Sequence, residues 1–265
     1  MVQVSAETPN RIAQLSLIAR AVAADWALDL GQPFHAAHSY VAPAGPNAVL
    51  KIIPPEDDES DHETDALAFW NGNGAVRLLR HDPRRKALLL ERAMPGEDLS
   101  HVSEAEALVA AIETGRRLWR EPPTDAPFQN VLGLSKRWLK AVEPTEHEFV
   151  RYARAALEAI TLKRRTLVHG DFHHHNILRR GPDWAAIDPK PALGEPEYDI
   201  APFLWNPIVT EPTRERTEQR LTAFTAAGLD RDRMREWAIV RGTILGLPVH
   251  TGRVRPQLRV VGWLV

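Results

Sequence analysis

The stretch Leu167-Val168-His169-Gly170-Asp171-Phe172-His173-His174-His175-Asn176-Ile177-Leu178 decides how this sequence is read. Its ends are apolar and its middle is polar, which predicts a short strand, a loop and a second strand. The loop carries an aspartate, Asp171, and five residues later an asparagine, Asn176. Beyond the turn Gly181-Pro182-Asp183, a further strand over Trp184–Ile187 ends in a second aspartate, Asp188. Three oxygen-bearing side chains are thus expected on adjacent loops.

That set suits one kind of chemistry. Hard Mg²⁺ takes oxygen ligands, usually one or two from the protein and the rest from a nucleotide's phosphates and water. Asn176 and Asp188 can supply the protein oxygens, which leaves Asp171 to accept a hydrogen bond from an attacking hydroxyl. This division of labour matches phosphoryl transfer, where catalysis is mainly positioning and charge neutralisation. Four histidines in the same loop (His169, His173, His174, His175) invite a zinc reading. A loop between strands does not align them on one helix face, and no H-E-x-x-H is present.

The pattern H-G-D-x4-N followed by I-D resembles the catalytic loop of the aminoglycoside phosphotransferases. The segment I-D-P-K-x-x-x-G-E-P-E-Y-D-x-A-P (Ile187–Pro202) and the upstream A-L-L-L-E-R-x-x-P-G are similar to the branch of streptomycin 6-phosphotransferases and hydroxyurea kinases. The resemblance implies an α+β, two-lobed, protein-kinase-like fold, with a small β-rich lobe over residues 1–95 and a larger, mainly helical lobe over 96–265. It implies ATP and Mg²⁺ as cofactors and a hydroxylated small molecule as acceptor, with streptomycin first and hydroxyurea second. A non-catalytic binding module of the same fold is the rival from another class.

Each motif residue then has an expected role. Lys51 lies inside the apolar strand AVLKII, where an ammonium needs a partner. The resemblance has it contact nucleotide phosphates and pair with Glu63, which also fits the third position of an S-x-x-E capping box begun by Ser60. Ser39 is expected beside the phosphates, and Glu91 to Ala93 at a hinge that meets the adenine edge through its backbone. His169 is expected to buttress the loop. Asp199 reads either as a helix N-cap or as part of a structural network. Lys190 is open between a solvated lysine and a phosphate contact. Glu195 and Glu197 are expected near the acceptor, where they would suit a dication. Two departures stand out: the phosphate-loop region Gln32–Tyr40 contains no glycine, and the C-terminal segment differs from the branch's helical ending.

Working outward, Ile12 to Trp26 has one apolar helical face with Asn10 as a plausible cap. Runs at Ser39–Pro43 and Ala48–Ile53, and a hairpin from Ala75–Leu79 to Ala87–Glu91 around H-D-P-R-R, read as strands. Seven acids in the ten residues Glu56–Asp65 read as a solvated helix entry near Asp61. Ser103 and Glu106 form a capping box before a helix to about Trp119. Helical patterns resume at 135–142 and 145–161, and again in three helices from Tyr198 to Gly246. Residues 247–265 show no clear periodicity. The absence of cysteine excludes disulfides, thiolate metal sites and cysteine nucleophiles. A net charge of −2 argues against nucleic acid or an anionic membrane as partner. The lack of a signal-like start or an apolar run of membrane length points to a cytoplasmic protein.

Overall fold

The computed structural model describes residues 7–36, 39–57, 62–207, 210–247 and 255–265. Its first part is built on an antiparallel sheet of β1 (Tyr40–Pro43), β2 (Ala48–Ile52), β3 (Leu78–Asp82) and β4 (Ala87–Glu91), in the order β1-β2-β4-β3. Strand residues alternate between faces, so Leu50 and Ile52 pack with Tyr40 and Ala42 under α1 (Glu7–Trp26), which contributes Leu15, Ala19 and Val22. Lys51, between them, points the other way, toward α2 (Glu63–Trp70). Helix α1 begins before Asn10, which lies inside the helix rather than at its cap. Ser60 and Asp61 lie outside the described residues, and α2 starts at Glu63 without a side-chain cap. The segment read as a strand from Ala75 instead belongs to the junction between the two parts. Val76 N–H donates to Ala186 O and Ala186 N–H to Gly74 O, at 3.0 and 2.8 Å.

The second part holds two small sheets within helices. Strands β5 (Pro95–Asp98), β7 (Ile177–Arg180) and β8 (Asp183–Ala186) form one, and β6 (Thr166–Val168) pairs with β9 (Ala192–Gly194) in the other. Around them lie α3 (Glu104–Leu118), α4 (Val131–Val142), α5 (Glu148–Ala159), α6 (Pro196–Trp205), α7 (Arg214–Ala226), α8 (Arg231–Gly246) and α9 (Pro256–Leu264). The Ser103 cap forms as the spacing predicts, its hydroxyl accepting from Glu106 N–H.

The tail is the clearest correction. It ends in a helix, α9, which buries Val260, Val261 and Leu264. Pro256 sits in its first turn, where no intrahelical N–H is lost. The helix comes close to α8 because Gly242 and Gly246 lack side chains; a Cβ there would lie 2.6 Å from Val261 and 2.5 Å from Leu258. The apolar stripe is short, and its partner is a pair of glycines on another element, so periodicity alone does not reveal it.

Helix α6 is closed at its C-terminus by a cation from α7. Arg220, 1% exposed, donates to the carbonyls of Phe203, Leu204 and Asn206 and pairs with Glu104. Carbonyls at a helix end lack intrahelical partners and favour positive charge. The guanidinium also meets His174 Nε2 at 3.3 Å. Burial, and then the Arg220 charge, push the His174 pKa down to about 2. An unfolded histidine titrates near 6.5, so between those values the unfolded chain takes a proton that the folded one refuses. Stability should therefore be full above about pH 6.5 and fall as pH drops below it, by about 1 kcal/mol between pH 6.5 and 5.5 from this residue. Urea unfolding across that range checks this, with His174→Gln expected to flatten the slope. Arg220→Leu should cost about 3 kcal/mol or more, because three carbonyls and a carboxylate lose their donor.

Candidate active site

A cavity of about 870 Å³ lies between the four-stranded sheet and the helical part, and Lys51, Asp171, Asn176 and Asp188 all line it. The loop after β6 carries Asp171 and Asn176, and the segment after β8 carries Asp188. Three hydrogen bonds knit these together: Ile187 N–H to Asn176 O, Lys190 N–H to His169 O, and His169 Nε2 to Ile187 O. With Nε2 protonated and donating, Nδ1 of His169 is the acceptor for Asp171 N–H at 3.3 Å. Burial holds His169 neutral, lowering its pKa, which keeps that acceptor available.

The loop is fixed from below by Asp199 on α6. Its carboxylate, fully buried, accepts from His169 N–H at 2.7 Å, Gly170 N–H at 2.8 Å and Trp119 Nε1 at 2.9 Å. From the other side Arg241, on α8, donates to the carbonyls of Gly170 and Tyr198 and stacks over the Tyr198 ring. Gly170 has φ +83°, and a Cβ there would meet Lys190 O at 1.8 Å, so no other residue fits. Both polar atoms of the Gly170 backbone are thus tied.

Lys51 Nζ lies 2.6 Å from Glu63 Oε2 and 2.6 Å from Asp188 Oδ1. Burial alone would lower its pKa. The two carboxylates outweigh that and raise it above the ordinary lysine range. Asp188 is likewise kept ionised: burial opposes its charge, but Lys51 and Lys190 lower its pKa. It takes φ +54°, a left-handed conformation that aspartate tolerates better than most residues. Burial also opposes the Asp171 charge, and His173 first and then Arg241 overcome it to lower the pKa. Asn176 Nδ2 donates to Asp171 O at 2.9 Å and Asp171 Oδ2 at 3.1 Å.

The family model described as aminoglycoside/hydroxyurea antibiotic resistance kinase matches residues 26–249. The chain belongs to that family. It is 34% identical to a hydroxyurea phosphotransferase of Kitasatospora aureofaciens, over 82% of this chain and 67% of that one. It is 31% identical to a streptomycin 6-kinase of Streptomyces glaucescens, over 74% of this chain and 69% of the relative. Its fold is that of a choline/ethanolamine kinase family protein from Mesorhizobium loti, with TM-score 0.69 at 17% identity, covering 94% and 93% of the two chains. The architecture is protein-kinase-like, a β-sheet lobe and a helical lobe, and the protein is a phosphotransferase acting on hydroxyl groups.

Within this kinase, the residues expected from sequence fall into two groups. Ser39, Lys51, Glu91, Ala93, Asp171, Asn176, Asp188 and Lys190 all line the cavity, and Glu63 is buried behind Lys51. The Glu91 carboxylate turns to Arg180 at 3.3 Å and accepts from Arg77 N–H, so only its backbone is offered to the cleft. Lys190 Nζ is 3.6 Å from Asp188 and 3.7 Å from Asp57. Glu195 and Glu197 are the exception. They are 1% and 2% exposed, at the start of α6 and away from the cavity lining. Glu195 accepts from Trp237 Nε1 and pairs with Arg233; Glu197 pairs with Arg164. Buried carboxylates that hold helices together cannot reach an acceptor, so their expected role is withdrawn.

The four histidines also part company. His173 faces Asp171 at 3.4 Å, His174 faces Arg220, and His175 Nδ1 meets Asp98 at 2.9 Å. In the glycine-free loop, Ala37 and His38 lie outside the described residues, while Phe34 N–H is anchored to Val41 O. Sequence reasoning missed Arg241 and Trp119, the two long-range partners of the Gly170 and Asp199 pair. No spacing signals them, because both lie far along the chain from the loop, on α8 and at the end of α3. Asp199→Asn, which turns an amide toward backbone donors, should cost about 2–4 kcal/mol. Urea unfolding measures the loss, and hydrogen exchange should show the His169 and Gly170 amides losing protection.

Proposed function

We propose that this kinase transfers the γ-phosphoryl group of ATP, with Mg²⁺, to a hydroxyl of a small molecule. The observation that carries the reading is Lys51, held 2.6 Å from both Glu63 and Asp188 in the cavity that also receives Asp171 and Asn176. In this assignment residues 1–95 bind the nucleotide and residues 96–265 bring catalysis and the acceptor. Glu91 and Ala93 meet the adenine edge through backbone groups, Lys51 fixes the phosphates, and Ser39 offers a hydroxyl beside them. ATP as donor suits the cytoplasmic location that the sequence predicts.

The residues present fit a divalent cation. Asp188 is held ionised, and the Asn176 amide nitrogen is committed to Asp171, which leaves its oxygen for a hard cation. Among the described residues no three His, Asp or Glu side chains form a metal cage, so phosphates and water would complete the coordination. Asn176 and Asp188 would hold Mg²⁺ there, and the ion would supply positive charge against the phosphates. Asp171 orients the acceptor hydroxyl and takes its proton as the phosphoryl group leaves ADP. Its carboxylate is positioned through Asp199, Arg241 and His169, and positioning provides most of the rate gain in such reactions.

Streptomycin and hydroxyurea are the acceptors that kinship suggests, since relatives of both descriptions match this chain. Streptomycin loses one support, because the two glutamates expected to meet its guanidinium groups lie elsewhere. An intact Lys51–Glu63 pair and a fully tied catalytic loop speak against a non-catalytic module.

Asp171→Asn keeps size and most hydrogen bonding, and should lower kcat by about 10²–10⁴-fold with little change in nucleotide affinity. Near wild-type ADP release from that variant would remove the base assignment. Asp188→Ala should abolish the Mg²⁺-dependent part of nucleotide stabilisation, read as a shift in Tm. A retained shift would move the metal to other ligands.

A further inference from the structure

The acceptor half of the cavity is walled by two helices. From α4 come Leu134, Trp138 and Ala141, one face at spacings of four and three; from α8 come Ile244 and Leu245. Leu245 is 41% exposed on a helix whose other cavity residues are buried. A large apolar side chain open to water in the cavity that also receives Asp171 is a surface that an apolar group can cover. The only charged residue that α4 and α8 bring to the cavity is Arg241, a cation.

The charges of the whole cavity point the same way. Among the described residues its lining has three acids, Glu91, Asp171 and Asp188, and four lysines and arginines, Lys51, Arg92, Lys190 and Arg241. Of these, Lys51 also pairs with Glu63 behind the lining and Lys190 with Asp57, so no surplus of free carboxylate is offered. Glu91 is paired with Arg180 and Asp188 with Lys51. Asp171 alone remains near the acceptor, and it has His173 at 3.4 Å. A polycation entering here would give up water without gaining carboxylates, which is costly. From Trp237 to the end of α8 at Gly246 the sequence contains no acidic side chain, so this part of the wall supplies none.

We propose that the acceptor is an uncharged hydroxylated molecule with an apolar ring or aliphatic face, which packs on Trp138, Leu134 and Leu245 while its hydroxyl meets Asp171. The inference rests on the phosphotransfer reading of the same cleft and narrows its substrate class. It separates the acceptor from polycationic aminoglycosides, whose recognition needs surplus negative charge.

The test compares 4-nitrophenyl glucoside, methyl glucoside, hydroxyurea and streptomycin. Binding is measured by calorimetry on the full chain with Mg²⁺ and a non-hydrolysable ATP analogue, and ADP release is measured separately with ATP. The aryl glycoside should bind more tightly than methyl glucoside and streptomycin, with little dependence on salt. Trp138→Ala should weaken it roughly tenfold, the loss of one aromatic contact, and Leu245→Glu should shift preference toward streptomycin. Nucleotide-induced stabilisation in each variant confirms folding. Tighter binding of streptomycin, weakening with salt and unmoved by Trp138→Ala, would overturn the proposal, as would equal binding of the aryl and methyl glycosides. Aryl-selective binding without ADP release would uphold the wall's selectivity and count against the catalytic assignments instead.

Discussion

The Asp199 carboxylate is the constraint on which the active site depends. It is buried without access to water, so its charge is tolerable only because three N–H donors converge on it. Those donors come from the end of α3 and from two consecutive residues of the catalytic loop. The acid therefore fixes the loop relative to α3 and α6 together. Arg241 completes the arrangement from α8 by holding the Gly170 carbonyl. A loop with both polar atoms of one residue tied, and with no room for a Cβ, has a single conformation, and Asp171 inherits it.

The second constraint is electrical. Lys51 on the sheet and Glu63 on α2 form a buried pair, and the half-exposed Asp188 from the helical part joins it at the cleft. Removing Lys51 or Glu63 leaves an uncompensated charge in a medium that solvates it poorly. This cluster, together with the backbone bonds between Val76 and Ala186 and between Ala186 and Gly74, joins the two lobes at the cleft rather than at its rim. The cleft residues contributed by the two lobes are held in register by the same contacts.

The cavity's ionisable groups and its apolar wall come mostly from different elements, with α8 contributing to both through Arg241 and Leu245. The loop after β6 and the segment after β8 carry the groups suited to phosphoryl transfer, while the apolar wall is built by α4 and α8. Leu134, Trp138 and Ala141 on α4 can change without touching Asp199 or Lys51, whose partners lie on other elements. That separation is how one fold serves unrelated acceptors, and it explains why membership of a resistance-kinase family leaves the acceptor to be argued from the wall itself.

The sequence by itself marked Asp171, Asn176 and Asp188 as candidates through residue type and spacing, and Lys51 with Glu63 through family resemblance; the structure brings the first four to one cavity and sets Glu63 behind Lys51. Strands β1, β2, β4 and β6 and the Ser103 cap were legible too, since period-two patterns and caps are local signals. Everything beyond local pattern was decided by tertiary structure. Glu195 and Glu197 look like loop acids in sequence, yet burial against Trp237, Arg233 and Arg164 makes them internal supports. Helix α9 is too short for periodicity to announce it and forms against two glycines of α8. Nothing in the local sequence distinguishes Arg241 and Arg220; packing brings the carbonyls they cap beside them. A buried charge acquires its role from partners distant in the chain, and the spacing of residues along that chain carries no record of them.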